Sequence, residues 1–128
     1  VSKLFEYALL RVVPRVERGE FINGGVLLHC SEANFLDARV YLDHGRLSAL
    51  DSELDHASVL AHLEAVCLVC TGGDRAGPIG LLPTSQRFGW LVAPRSTVVQ
   101  PSPVHTGFAV DPEEALEHLL RTMVYPPD

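Results

Sequence analysis

Two extended apolar runs on either side of a short polar break constrain this chain more than any other feature. From Phe5 to Val13, Phe5, Tyr7, Leu9, Arg11 and Val13 fall on one side of a strand, and Glu6, Ala8, Leu10 and Val12 on the other. Both faces are largely apolar. Pro14-Arg15-Val16-Glu17-Arg18-Gly19 breaks the run and Glu20 to Cys30 resumes it, which predicts an antiparallel hairpin with Gly19 at a positive-φ turn position. Gly24-Gly25 inside the second run predicts a bulge. From Phe35 to Leu42 the pattern alternates, with Leu36, Ala38, Val40 and Leu42 inward and Asp37 and Arg39 toward water, so a third strand completes a meander.

Helical signals follow. Asp43 to Asp51 has room for one or two turns, whereas Asp55 to Cys70 carries Leu60, Leu63, Cys67 and Cys70 at helical spacing and stops at Thr71-Gly72-Gly73. Residues 74–83 read as an exposed connection. Further strands are expected at Phe88 to Val92 and Thr97 to Gln100, before the prolines Pro101 and Pro103. In Asp111-Pro112-Glu113-Glu114 a capping aspartate, a first-turn proline and two glutamates suited to the dipole start a last helix, which runs to about residue 124 before Pro126-Pro127. The expected fold is α+β: a mainly antiparallel sheet opened by an amino-terminal β-meander, with the helices near 55–70 and 112–124 packed on one face. At 128 residues and 14.0 kDa the whole chain, 1–128, fits a single domain.

Ten basic and sixteen acidic side chains give a net charge of −6, which argues against nucleic acid and anionic membranes as partners. No apolar run reaches the roughly 18 residues that span a bilayer. Three cysteines, Cys30, Cys67 and Cys70, and no apolar leader at the start point to a reducing, cytoplasmic setting rather than a secreted disulfide framework. Cys67 and Cys70, with His62 before them, lie along one helical stripe with Leu60 and Leu63, where core packing accounts for them better than zinc does. No two of the six histidines stand four residues apart, so neither a metal nor any other cofactor is expected.

The net charge hides a segregation. Residues 75–110 contain Arg75, Arg87 and Arg95 and no carboxylate. Within that window Arg95, Ser96, Thr97, Gln100 and His105 offer a guanidinium and neutral donors of the kind that bind phosphate or carboxylate, and a small anionic ligand is one candidate. Arg11 is the second anomaly, because a guanidinium inside an apolar strand needs a partner or a sheet edge. A register with Val13 opposite Glu20 places Ile22 opposite Arg11 and makes Glu20 its diagonal ion-pair partner. Asn23 and the Gly24-Gly25 backbone then leave room for a groove beside it.

The run Tyr7-Ala8-Leu9-Leu10-Arg11-Val12-Val13-Pro14, followed by Arg18-Gly19-Glu20-Phe21-Ile22-Asn23 and Gly25-Val26-Leu27-Leu28, resembles the opening of a bacterial family, the domain of unknown function numbered three thousand and thirty-seven. Ala93-Pro94-Arg95-Ser96-Thr97-Val98-Val99-Gln100-Pro101-Ser102-Pro103-Val104-His105-Thr106-Gly107 is similar to the version of that family in high-GC bacteria, and nine arginines to one lysine agree with such a source. Gly24 departs from the bulkier residue expected there, which predicts a looser second strand. The resemblance implies no assigned activity; it implies a neighbouring kinase-like protein of the HipA type as a protein partner. Two functions remain in play. The first is an interaction module that binds such a partner through the Arg11–Gly25 hairpin or residues 87–107. The second is an enzyme for a phosphorylated or nucleotide-like ligand, with His105 as acid or base and Arg95 as charge clamp. The module leads, because no nucleophile, paired carboxylate or metal ligand accompanies His105.

Overall fold

In a computed structural model describing residues 1–127, the chain forms an α+β fold on a five-stranded antiparallel sheet that opens with the expected meander. Strands β1 (Lys3–Val12), β2 (Ile22–Cys30) and β3 (Phe35–Val40) are followed by helices α1 (His44–Leu50), α2 (His56–Thr71) and α3 (Thr84–Leu91). Strands β4 (Val99–Pro101) and β5 (His105–Ala109) and helix α4 (Pro112–Leu119) complete it. The sheet order is β3-β2-β1, and both β4 and β5 pair with the free edge of β1.

β4 and β5 behave as one interrupted edge strand. Val12 faces Val99 and Tyr7 faces His105, so one extra residue lies between the two ladders. Ser102 spans the interruption: its N–H donates to the Leu9 carbonyl at 2.8 Å, and its buried Oγ accepts from the Leu9 N–H at 2.8 Å. A hydroxyl thus replaces the ladder carbonyl that the prolines at 101 and 103 displace.

The two main helices do not share a face. Even-numbered β1 residues Ala8, Leu10 and Val12 pack with Leu63, Val66 and Cys70 of α2 and Phe88 and Leu91 of α3. Phe5 and, from β2, Val26, Leu28 and Cys30 pack with Leu116 and Leu119 of α4. A strand whose two sides are both apolar needs cover on both, which is why the one-face layering fails. The buried stripe of α2 is Val59, Leu63, Val66, Val69 and Cys70, with Leu60 and Cys67 half-buried at its margin.

Local differences have equally direct causes. Phe88 to Val92, expected as a strand, lies mainly in α3, where Phe88 and Leu91 at helical spacing reach the core. The bulge falls at the glycine pair: Leu10 faces Gly25 and Arg11 faces Asn23, leaving Gly24 unpaired. A Cβ at Gly24 would lie 2.8 Å from Val12 Cγ2, so a bulkier residue there would have to displace Val12. At the carboxyl end, α4 passes into one π-helical turn, Leu120–Val124, closed by the Tyr125 N–H on the Leu120 carbonyl at 3.0 Å.

Candidate functional site

The bulge sets the site. By removing Gly24 from the register it brings Asn23, rather than Gly24, opposite Arg11, and the expected partner Ile22 faces Val12 instead; the other edge of β1 brings Gln100 opposite the same arginine. Asn23, Arg11 and Gln100 therefore form one row across three strands, on the face that α4 covers. Glu20 is absent from the row. It lies outside the strands and bonds Arg18, which holds its carboxyl below the usual carboxylate range, so the expected Arg11–Glu20 ion pair does not form.

Arg11 instead stacks on Phe21, its guanidinium carbon 4.3 Å from the ring centroid. Its Nε is buried with no hydrogen-bond partner. Asn23 Nδ2 donates to the Met123 carbonyl at 3.0 Å, whereas Asn23 Oδ1 is buried and also unpartnered. The Met123 carbonyl needs that outside donor because the chain turns away into Pro126-Pro127, which supply no N–H. Gln100 Nε2 donates to the Thr97 carbonyl at 2.8 Å. Phe21, Met123, Tyr125 and Tyr41 stand exposed around the row, the two tyrosines edge to face at 4.8 Å.

The remaining expected residues lie elsewhere. Arg95 follows α3 and caps it: Nη2 donates to the Trp90 carbonyl at 2.6 Å and Nε to that of Ala93 at 3.3 Å, over the Trp90 ring. Arg87 does the same for α2, donating to the Val69 and Cys70 carbonyls at 2.9 and 2.6 Å. Two arginines of the acid-free window are therefore spent on helix carboxyl ends, where cations are favoured, and not gathered into an anion site. Ser96 and Thr97 border an open groove of about 500 Å³ along α2 with Leu54, Val59 and His62, and the Thr97 hydroxyl is engaged by the Val99 carbonyl at 2.7 Å.

His105 is exposed at the start of β5, its ring 5.4 Å from that of Tyr7. Tyr7 and Arg11 are four residues apart on β1, roughly 13 Å at ~3.3 Å per residue. Arg11 and His105 thus share a face but not a site, and Arg95 lies with α3 on the other face. The convergence that an enzyme built on His105 and Arg95 requires is missing.

Cys30 and Cys70 are buried and Cys67 half-buried, all as free thiols. Burial pushes the Cys67 and Cys70 thiols up. A family model described as a protein of unknown function, DUF3037, matches residues 7–124. The chain belongs to that family. The match runs from β1 through the π turn and so includes every residue of the DUF3037 row described above. No curated protein and no solved structure matches the chain. No helix among the described residues is long and apolar enough to cross a membrane.

Sequence reasoning found Arg11, Asn23 and Gln100 individually but missed their alignment and the aromatic rim. The alignment was lost at the turn: Val12 faces Ile22 where Val13 facing Glu20 was expected, a one-residue shift that changes the partner of Arg11.

Proposed function

We propose that this chain is an interaction module that docks a larger protein through the Asn23–Arg11–Gln100 row and its rim. The pair of orphaned atoms carries the reading. Arg11 Nε is a donor, Asn23 Oδ1 is an acceptor, and the two residues face each other across β1 and β2. Each unmade bond costs about 1–3 kcal/mol, so the pair persists at a cost that a partner can remove. Both side chains are half-buried, so each keeps part of its surface open to a partner. A peptide group supplies the carbonyl and the N–H that complete both, whereas a small anion completes only the arginine. Phe21, Met123 and Tyr125 are anchors of the type enriched at protein interfaces. The row contains no nucleophile or carboxylate, which favours binding over chemistry.

A kinase-like protein of the HipA type is the first partner to test, on the family resemblance. Tagged wild-type chain should retain that kinase from the source cell, and Arg11→Met should weaken retention by about 2–5 kcal/mol while Arg95→Ala leaves it unchanged. Equal retention by wild type and Arg11→Met removes the row from the interface. Failure of wild type to retain the kinase removes this partner.

A further inference from the structure

The geometry points to a chemical site on the other face of the sheet: the Thr84 hydroxyl, activated by the buried imidazole of His29, placed to take an acyl group from a neutral carboxylic ester. His29 is only 4 % exposed. Its Nδ1 is 3.5 Å from Glu6 Oε1 and its Nε2 3.4 Å from Thr84 Oγ1. Glu6 is the direct cross-strand partner of His29, and Thr84 is the first residue of α3. An ionised carboxylate can only accept, so it holds the proton on Nδ1 and leaves the Nε2 lone pair toward the hydroxyl. Phe88, one turn along α3 from Thr84, lies over the imidazole with centroids 5.3 Å apart and fixes the ring. Carboxylate, imidazole and hydroxyl in this order are what a nucleophile and its base require.

Asn34 and the start of α3 complete the arrangement. Asn34 has a φ of 48°, the only positive value at a non-glycine residue among the described ones, and its Oδ1 accepts from Thr84 Oγ1 at 3.4 Å. Turning the Asn34 amide over about its last bond exchanges Oδ1 for Nδ2, so that Asn34 donates to Oγ1 and the hydroxyl proton is left for Nε2. Pro83 caps α3 without a side-chain acceptor, so the first N–H groups of the helix, those of Thr84 and Ser85, are donors beside the nucleophile.

The surroundings define the substrate class. Leu4 and Phe108, 51 % and 73 % exposed, are a cross-strand pair on the same face as Glu6 and form an apolar wall beside it. The Glu6 carboxylate disfavours a phosphate ester, and the wall suits an acyl chain. Thr84 Oγ attacks the ester carbonyl carbon as its proton passes to His29 Nε2. The bond from that carbon to the alcohol oxygen breaks, and the alcohol leaves with this proton. Water then attacks the acyl carbon, gives a proton to His29, and releases the carboxylic acid as Thr84 regains its hydrogen. None of these residues belongs to the docking row, so the two readings stand or fall separately.

The test is acetylation of the full chain by p-nitrophenyl acetate, followed by intact mass and peptide mapping. Wild type should gain one acetyl group, on Thr84, and Thr84→Ser should keep it. Thr84→Val, which preserves the side-chain volume, should lose it. His29→Gln should slow acetylation by about 10²- to 10⁴-fold. Glu6→Gln, which has no ionised oxygen to hold the proton on Nδ1, should slow acetylation without changing the thermal unfolding midpoint, a split that a merely structural glutamate would not give. Wild type that neither carries an acetyl group nor releases p-nitrophenol faster than Thr84→Val, or equal acetylation of Thr84→Val, overturns the proposal.

Discussion

The two faces of the sheet share β1 but are covered differently. On the side of Ala8, Leu10 and Val12, the sixteen-residue α2 and then α3 build a broad core that extends to Leu42, Leu47 and Val99. On the side of Phe5 and Leu28, the eight-residue α4 and one π turn supply the cover, which ends at Val124. Arg11 and Asn23 lie where this shorter cover stops, and Asn23 caps its last turn. Buried polar chemistry on the first face is internally paired, as at His29, whereas on the second it is left open. A helix that runs out before its sheet does leaves an unfinished polar row, and unfinished rows are where partners gain most.

If the first face carries the stability, truncating it should cost most. Leu63 and Leu116 are both fully buried, one under each helix. Leu63→Ala should lose stability near the top of the about 2–5 kcal/mol range for such changes, and Leu116→Ala near the bottom, because the thinner layer collapses more easily into the cavity. Denaturant midpoints at a shared slope measure both, and a larger loss at Leu116 would reverse the ranking of the faces.

Next in size is the clamp that holds α4 on. Arg39 of β3 donates to Asp37, Glu113 and Glu117 at 2.6, 3.0 and 2.8 Å, which raises its pKa further above an already high value. Arg39→Ala leaves three carboxylates facing one another and should cost about 1–3 kcal/mol. Hydrogen exchange should show the loss first in α4. Uniform loosening of α2 and α4 would mean that the two faces are one cooperative layer.

How much of this was legible follows from the particular residues. Alternation in Phe5–Val13 and Phe35–Leu42 and the Asp111-Pro112 start reflect local forces and placed the meander and α4 correctly. The register of Arg11 turns on the hairpin loop and not on which glycine bulges, since Val12 faces Ile22 where the turn residues suggested Val13 facing Glu20. α3 was hidden because Phe88-Gly89-Trp90-Leu91 has too few apolar positions to reveal its period. β5 was hidden behind prolines: at Gly107 the Phe5 ring fills the space of a side chain, 2.6 Å from where a Cβ would stand. The opposite-face helices were readable in principle, because Leu9 and Leu10 on opposite sides of one strand both call for cover.

A pH experiment isolates the α2 face. Burial in that core raises the Cys70 thiol, with the neighbouring Cys67 adding to it. The unfolded chain loses this proton as pH rises past the free-thiol value of about 8.5, while the native chain keeps it. The unfolded state then binds fewer protons, so stability should fall with rising pH by up to about 1.4 kcal/mol per unit. Cys70→Val should flatten that slope between pH 8 and 10. A slope that persists in the variant would remove Cys70 as its origin and leave the half-buried Cys67 as the next thiol to replace.

The smallest effects give the sharpest contrast, because they should differ in sign. Arg11→Met removes the orphaned Nε, a gain of about 1–3 kcal/mol, and forfeits the stacking on Phe21, a loss of about 0.5–1 kcal/mol, while the methionine keeps most of the apolar stem. The net expectation is a slightly more stable fold that binds its partner less well, which is how a residue retained for binding behaves. Arg95→Ala removes a helix cap and a contact with Trp90, and should cost about 0.3–1 kcal/mol with binding intact. Thermal denaturation of both variants beside wild type resolves the signs. If Arg11→Met destabilises the fold as Arg95→Ala does, Arg11 is a structural residue, and the open end of the α4 face is only a place where packing stops.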